Sequence, residues 1–288
     1  MMKIVLNGWV SGFIGVMIFA GSLPATRAAI SGFNPLFLTG ARATIAALLG
    51  SLLLLALRQR RPARGDIPAL AITALGVVVG FPLLTGLAVQ HISSARSIVF
   101  LGLLPMSTAI FAVLRGGERP RPLFWLFSLT GGAIIAGYTL SDTAGMMMTG
   151  DSLMIGAIIL CGLGYAEGAK LSRRLGGWQV ISWALILSVP VMLPIAAVTR
   201  PATFANIAMS AWLGFAYVSI FSMLIGFIFW YHGLAKGGIA AVGQLQLIQP
   251  FMGFALAALL LHESVSWAML MVASTTLVCV FGAKRFAG

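Results

Sequence analysis

Charge is the scarcest commodity in this sequence. Charged residues fill 8% of its 288 positions, against roughly 25% in an ordinary soluble domain. A chain that is 60% hydrophobic cannot cover itself with polar surface, so its solvent is lipid. Acids are scarcest of all: Asp66, Glu118, Asp142, Asp151, Glu167 and Glu263 are the full set. The two cysteines, Cys161 and Cys279, lie inside apolar runs. That placement argues against a disulfide framework and for small packing residues. No HExxH, CxxC or GxSxG spacing occurs, and His91, His232 and His262 sit singly at the ends of runs. Metal binding, cofactor chemistry and intramembrane catalysis therefore lack their usual residues. The net charge of +12 does not point to nucleic acid, because the bases fall in short gaps rather than on a polar face with interleaved aromatics.

What is present is a series of apolar runs. A membrane helix needs about 20 mainly apolar residues. Such windows fall near 4–22, 35–57, 68–90, 97–115, 122–141, 152–170, 178–199, 211–232, 239–261 and 266–286, ten in all. The gaps carry turn chemistry, as in "SGFNP", "RPARGD", "GGERPRP", "RRLGG" and "RPATFAN". The first window resembles a signal peptide, but Asn7 and Gly8 interrupt its apolar stretch, so it is read as a first membrane helix. Cytoplasmic gaps collect Lys and Arg. With both termini inside, fourteen bases fall on the inner side and only Arg27, Arg96 and Arg200 outside, with Arg42 left within the second helix. The expectation is an all-α protein of the cell inner membrane with both ends cytoplasmic. Trp178, Trp212 and Trp267 at run ends read as interface anchors.

The chain also repeats. At an offset of 145, Pro105 meets Pro250, Glu118 meets Glu263 and Gly137 meets Gly282. This divides it into halves 1–145 and 146–288, each with five helices. Five is odd, so the second half would cross the membrane upside down. Charge agrees: Arg115, Arg119 and Arg121 surround Glu118, whereas "HESVSW" around Glu263 has no Lys or Arg. Inverted repeats are the build of many secondary transporters, with a site near the midplane between the halves.

At this point "GLAKGGIAAVGQLQLIQPFMGFALAALLLHESVSW" (233–267) resembles the second half of the drug/metabolite transporter superfamily, in its EamA-type ten-helix exporters. Pro105, Glu118 and Gly137 repeat the pattern in the first half, and "FLTGARATIAALL" (37–49) is similar to the family's second helix, where an Arg is common. The resemblance covers essentially the whole chain. One departure is the last helix, "LMVASTTLVCVFG" (270–282), whose only glycine is Gly282. The resemblance implies a cavity inside helices one, three, four, six, eight and nine, with helices five and ten packed together away from it.

Several residues are candidates for chemistry. Pro82, Pro105 and Pro250 kink helices and free carbonyls, which is tolerated where protein or a watery cavity satisfies them. Gln246 and Gln249 share a helical face and either bind polar cargo or hold helices together. Phe81, Phe100 and Tyr165 are mid-depth aromatics for an amphipathic cargo. Glu167 either pairs with Lys170 three residues on or couples transport to protons. Arg42 either snorkels outward, bonds carbonyls or meets a substrate carboxylate. Glu118 and Glu263, at helix ends, either cap turns or meet nearby arginines, or bind protons for coupling. No midplane acid stands out, which disfavours a proton-coupled multidrug exporter of organic cations. The expected function is alternating-access export of small amphipathic metabolites, amino acids first and aromatic ones favoured, without obligatory proton coupling. The expected partners are that cargo and the lipid bilayer; a monomer is compatible with the sequence.

Overall fold

The structure is a computed structural model that describes residues 6–141, 148–261 and 266–286. All regular structure among them is helical. In chain order the helices are α1 (Gly8–Ile30), α2 (Pro35–Ala56) and α3 (Arg64–Ala88), then α4 in two pieces (Ser94–Leu101 and Leu104–Leu114) and α5 (Pro122–Ser141). They continue as α6 (Met148–Leu175), α7 (Gly177–Val198) and α8 (Met209–Gly237). Last come α9 in three pieces (Ile239–Gly243, Gln244–Leu247 and Gln249–Leu261) and α10 (Trp267–Arg285). Six of these, α1, α2, α3, α6, α7 and α8, are long and apolar enough to cross a membrane. The chain is a multi-pass helical membrane protein.

Local chemistry sets the helix starts. Asn7 accepts the Trp9 N–H at 2.9 Å and Asn34 accepts the Leu36 N–H at 2.8 Å. Pro35 follows Asn34 at the first helical position, where its missing N–H costs nothing. Helix α1 runs farther than the hydropathy window. It bends at Gly21, against the Tyr217 hydroxyl. The second piece, "SLPATRAAI", is too polar to extend an apolar window. It holds Pro24 in its first turn, where no N–H is needed.

Backbone irregularities recur at the spacing seen in the sequence. Helix α3 widens into a π-helical stretch at Ala74–Gly80, and α8 does so at Val218–Ile225. An offset of 145 carries the first onto 219–225. Helix α4 breaks and restarts at Leu104, and α9 restarts at Gln249, 145 positions on. Pro105 and Pro250 take the second place of each new piece. A proline there cannot donate to the preceding turn, so the old helix cannot run through. Helices α5 and α10 begin 145 positions apart, at Pro122 and Trp267.

Small residues let the helices approach. A Cβ on Gly15 of α1 would press into the Trp230 backbone on α8, and one on Gly40 of α2 into the Met192 carbonyl on α7. Helix α5 packs on α10 through Gly282 against Phe127, with Phe127 and Phe286 stacked at 6.1 Å. The lone glycine of the last helix thus lies at its helix contact. Trp267 is 81% exposed, as an anchor would be, but Trp178 is buried in the core.

Candidate functional site

Two kinds of polar structure stand out: ion pairs at the helix ends and a cavity between them. Asp66, Glu118, Asp151 and Glu167 each pair with an arginine. Helices α4 and α6 are tied at both ends. Arg96 donates to both Asp151 oxygens, at 3.0 and 2.8 Å, and Arg115 donates to Glu167. Glu167 was expected to meet Lys170. Its buried carboxylate instead faces α4, and Lys170 is exposed. Arg174 of α6 pairs with Asp66 at the start of α3.

Glu118 does the most. It accepts from Arg173 at 2.8 Å and from the backbone N–H groups of Ile239 and Ala240, each at 2.8 Å. Gly238 has φ +89°, a turn that L side chains resist, and α9 begins after it without a side-chain cap of its own. A carboxylate from the far half of the chain supplies that cap. Its sequence counterpart, Glu263, lies outside the described residues, as do Asp142 and His262. All four ion pairs among the described residues join a residue before position 142 to one after 147.

The cavity is enclosed by α1 (Phe19, Ser22, Leu23), α2 (Arg42), α3 (Val77, Phe81, Pro82), α4 (Leu101, Leu104), α6 (Tyr165), α8 (Ser222, Phe227) and α9 (Gln249). Three pairs of these are repeat-related at an offset of 145: Val77 with Ser222, Pro82 with Phe227, and Leu104 with Gln249. Val77 and Ser222 lie on the two π-helical stretches, and Leu104 and Gln249 begin the two restarted pieces. The irregular backbone therefore converges on one place, which is where such backbone is tolerated and used.

Inside, the Ser22 and Ser222 hydroxyls bond at 2.7 Å, closing α1 onto α8. The Gln249 amide donates to the Phe19 carbonyl at 3.4 Å. Phe227 packs against Phe19 at 4.9 Å and Tyr165 at 6.0 Å. The free volume is about 20 Å³, room for about one water, so the cavity is closed on itself. A larger cavity of about 800 Å³ lies on another face of α1, beside α8 and α9, lined by Gly21, Arg27, Ser31, Gly214 and Tyr217 among others.

Of the residues expected to bind cargo, Phe81, Tyr165 and Gln249 come together here, joined by Pro82 from the expected kinks and Arg42 from the charged candidates. Phe100 is buried in the core, away from the cavity lining. Gln246 is buried too, and its amide reaches Thr108 of α4 at 3.4 Å, as a residue joining helices would. Pro105 lines a separate small cavity near α5 with Gln244. Pro250 is the second residue of the last piece of α9. Arg42 does not snorkel: its residue is 5% exposed. Phe19, Ser22 and Ser222 carried no signal beyond an aromatic or a hydroxyl in an apolar run. Among the described residues no group of three or more His, Cys, Asp or Glu is placed to hold a metal.

A helical bundle with an enclosed polar and aromatic cavity, and backbone breaks converging on it, is the build of a membrane transporter. The chain belongs to the EamA-like transporter family, whose model matches it twice, at residues 6–140 and 148–283. It is 60% identical, over 98% of both chains, to a Bacillus subtilis protein named "Uncharacterized transporter YdeK". It is 23% identical, over 82% of this chain and 79% of the relative, to a "Probable terminal-alkyne amino-acid exporter" of Streptantibioticus cattleyicolor. A solved crystal structure shares the fold with a TM-score of 0.75, at 18% identity over 97% of each chain. The protein is thus a transporter and not an enzyme.

Proposed function

We propose that this protein exports small amphipathic metabolites, amino acids first and aromatic ones among them, through the central cavity. The carrying observation is that cavity: four aromatic rings, two serine hydroxyls, an amide and a guanidinium converge on the place where both sets of backbone irregularities meet. The distant amino-acid exporter among the relatives supports the cargo class. In this proposal all ten helices cross the inner membrane as two inverted five-helix repeats, 1–145 and 146–288, with both termini cytoplasmic. The halves rock about the cavity to open it to each side in turn. Proline-freed carbonyls and the serine hydroxyls would take the cargo's ammonium, and Phe81, Tyr165 and Phe227 its side chain.

Transport runs down the cargo gradient without obligatory proton coupling. Supporting this, each of the four described acids is engaged by an arginine and none lines the cavity. A multidrug exporter of organic cations would want an acid there, and the charged group that lines it is Arg42.

The test is flux of a panel of labelled amino acids from loaded proteoliposomes. Flux of aromatic amino acids is expected; flux of organic cations alone would transfer the protein to the multidrug class. For the orientation, a cysteine at Gly65 should react with an impermeant thiol reagent only after lysis, and one at Ala205 in intact cells. The opposite pattern reverses the topology.

A further inference from the structure

We infer that Arg42 is the subsite for the cargo's carboxylate, so that the cavity selects carboxylates and rejects the matching amides and amines. This rests on the central cavity being the transport site proposed above. It goes further by naming the group the cargo must carry and the residue that reads it.

Arg42 lies about 10 Å along α2 from its first residue. At 5% exposure it is buried inside the bundle. Its Nε is buried without a hydrogen-bond partner. Among the described residues no hydrogen bond or ion pair includes it, and the four described acids are held by Arg96, Arg115, Arg173 and Arg174. A guanidinium stays charged at neutral pH, and a buried charge without a partner is costly enough that it persists where something else meets it. The group lines the cavity, so what meets it arrives through the cavity.

The chemistry narrows the ligand. A guanidinium fork matches a carboxylate through two parallel bonds. A phosphate dianion would call for a second base, and Arg42 is the one base lining the site. Gln249 shares that lining, and its amide holds only a long bond to the Phe19 carbonyl. It is a second donor for the same carboxylate. The aromatic rings on α3, α6 and α8 leave the rest of the cargo an apolar wall.

The experiment measures binding to the full-length protein in lipid nanodiscs. The probes are L-phenylalanine, 3-phenylpropionate, L-phenylalaninamide and 2-phenylethylamine. The two acids should bind, and the amide and amine on the order of tenfold more weakly or worse. Arg42→Gln should lose a similar factor for both acids, and Arg42→Lys should recover part of it. An amide that binds as tightly as its acid, acids held equally by Arg42→Gln, or no binding of either acid each overturns the inference. Should Arg42→Gln not fold, the acid and amide pair on the unaltered protein decides alone. Binding of 3-phenylpropionate without flux of any amino acid would remove the amino-acid cargo and leave the carboxylate subsite standing.

Discussion

At the end of the bundle that carries Asp66, Glu118 and Glu167, each carboxylate meets an arginine from the other half of the chain; in the middle, Arg42 meets none. A chain with six acids has placed Asp66, Glu118 and Asp151 at helix ends and Glu167 two turns inside α6, and each of these pairs with an arginine from the other half of the chain. It has left its most deeply set arginine without a resident counter-ion. The contrast separates two uses of charge in lipid: paired charge fastens helices, and unpaired charge waits for a ligand. The ends also differ from each other. Three ion pairs close the arginine-rich end, and Arg96 with Asp151 is the described pair at the opposite one.

Breaking the ends should weaken the fold in proportion to what each acid holds. Glu118→Ala frees two backbone N–H groups and Arg173 at once. It should destabilise the protein by about 2 kcal/mol in a denaturant titration, and an unchanged midpoint would mean that water replaces the cap. Glu167→Gln should cost about 1 kcal/mol, because Arg115 is half-exposed and can rehydrate. It should keep most of the amino-acid flux, with or without a proton gradient. Flux strongly stimulated by the gradient in the unaltered protein, and lost in Glu167→Gln, would make Glu167 a coupling site and end the uncoupled mechanism. Asp151→Asn should cost less than about 1 kcal/mol, being a partly exposed pair. Its readout is access. With Cys161 and Cys279 removed, a cysteine at Ser222 should label faster from the Arg96 end in Asp151→Asn than in its parent, and equal rates would show that this pair does not gate.

Much of the fold was legible because lipid makes it so. Apolar runs, polar gaps and capping residues such as Asn34 before Pro35 are local signals. The proline spacing of 145 marked real backbone events at Leu104 and Gln249. The π-helical stretches were not legible. Pro82 follows the first, but Phe227 stands at the equivalent place after the second, so no shared residue marks both. The bend of α1 at Gly21 was not legible either, because a single glycine in an apolar run does not mark a bend.

In the site, Phe81, Pro82, Tyr165, Gln249 and Arg42 were legible as awkward or mid-depth residues. Which face each turns inward depends on how broken helices rotate after the break. That is why Gln246 turns to Thr108 while Gln249, three residues on, reaches the cavity. Glu167 shows the same limit. A helical neighbour such as Lys170 can be counted along the chain, whereas Arg115 arrives from another helix.

The contrast between middle and ends is tested most directly by replacing Arg42 with Met and measuring stability and flux side by side. An unpaired buried charge destabilises, and an apolar side chain of similar length removes that cost while destroying the carboxylate subsite. The expected result is a protein more stable by about 1–4 kcal/mol that no longer carries aromatic amino acids. A variant that is less stable than its parent, or one that keeps its flux, would show that Arg42 belongs to the scaffold and would contradict the assignment of the middle of this protein to its cargo.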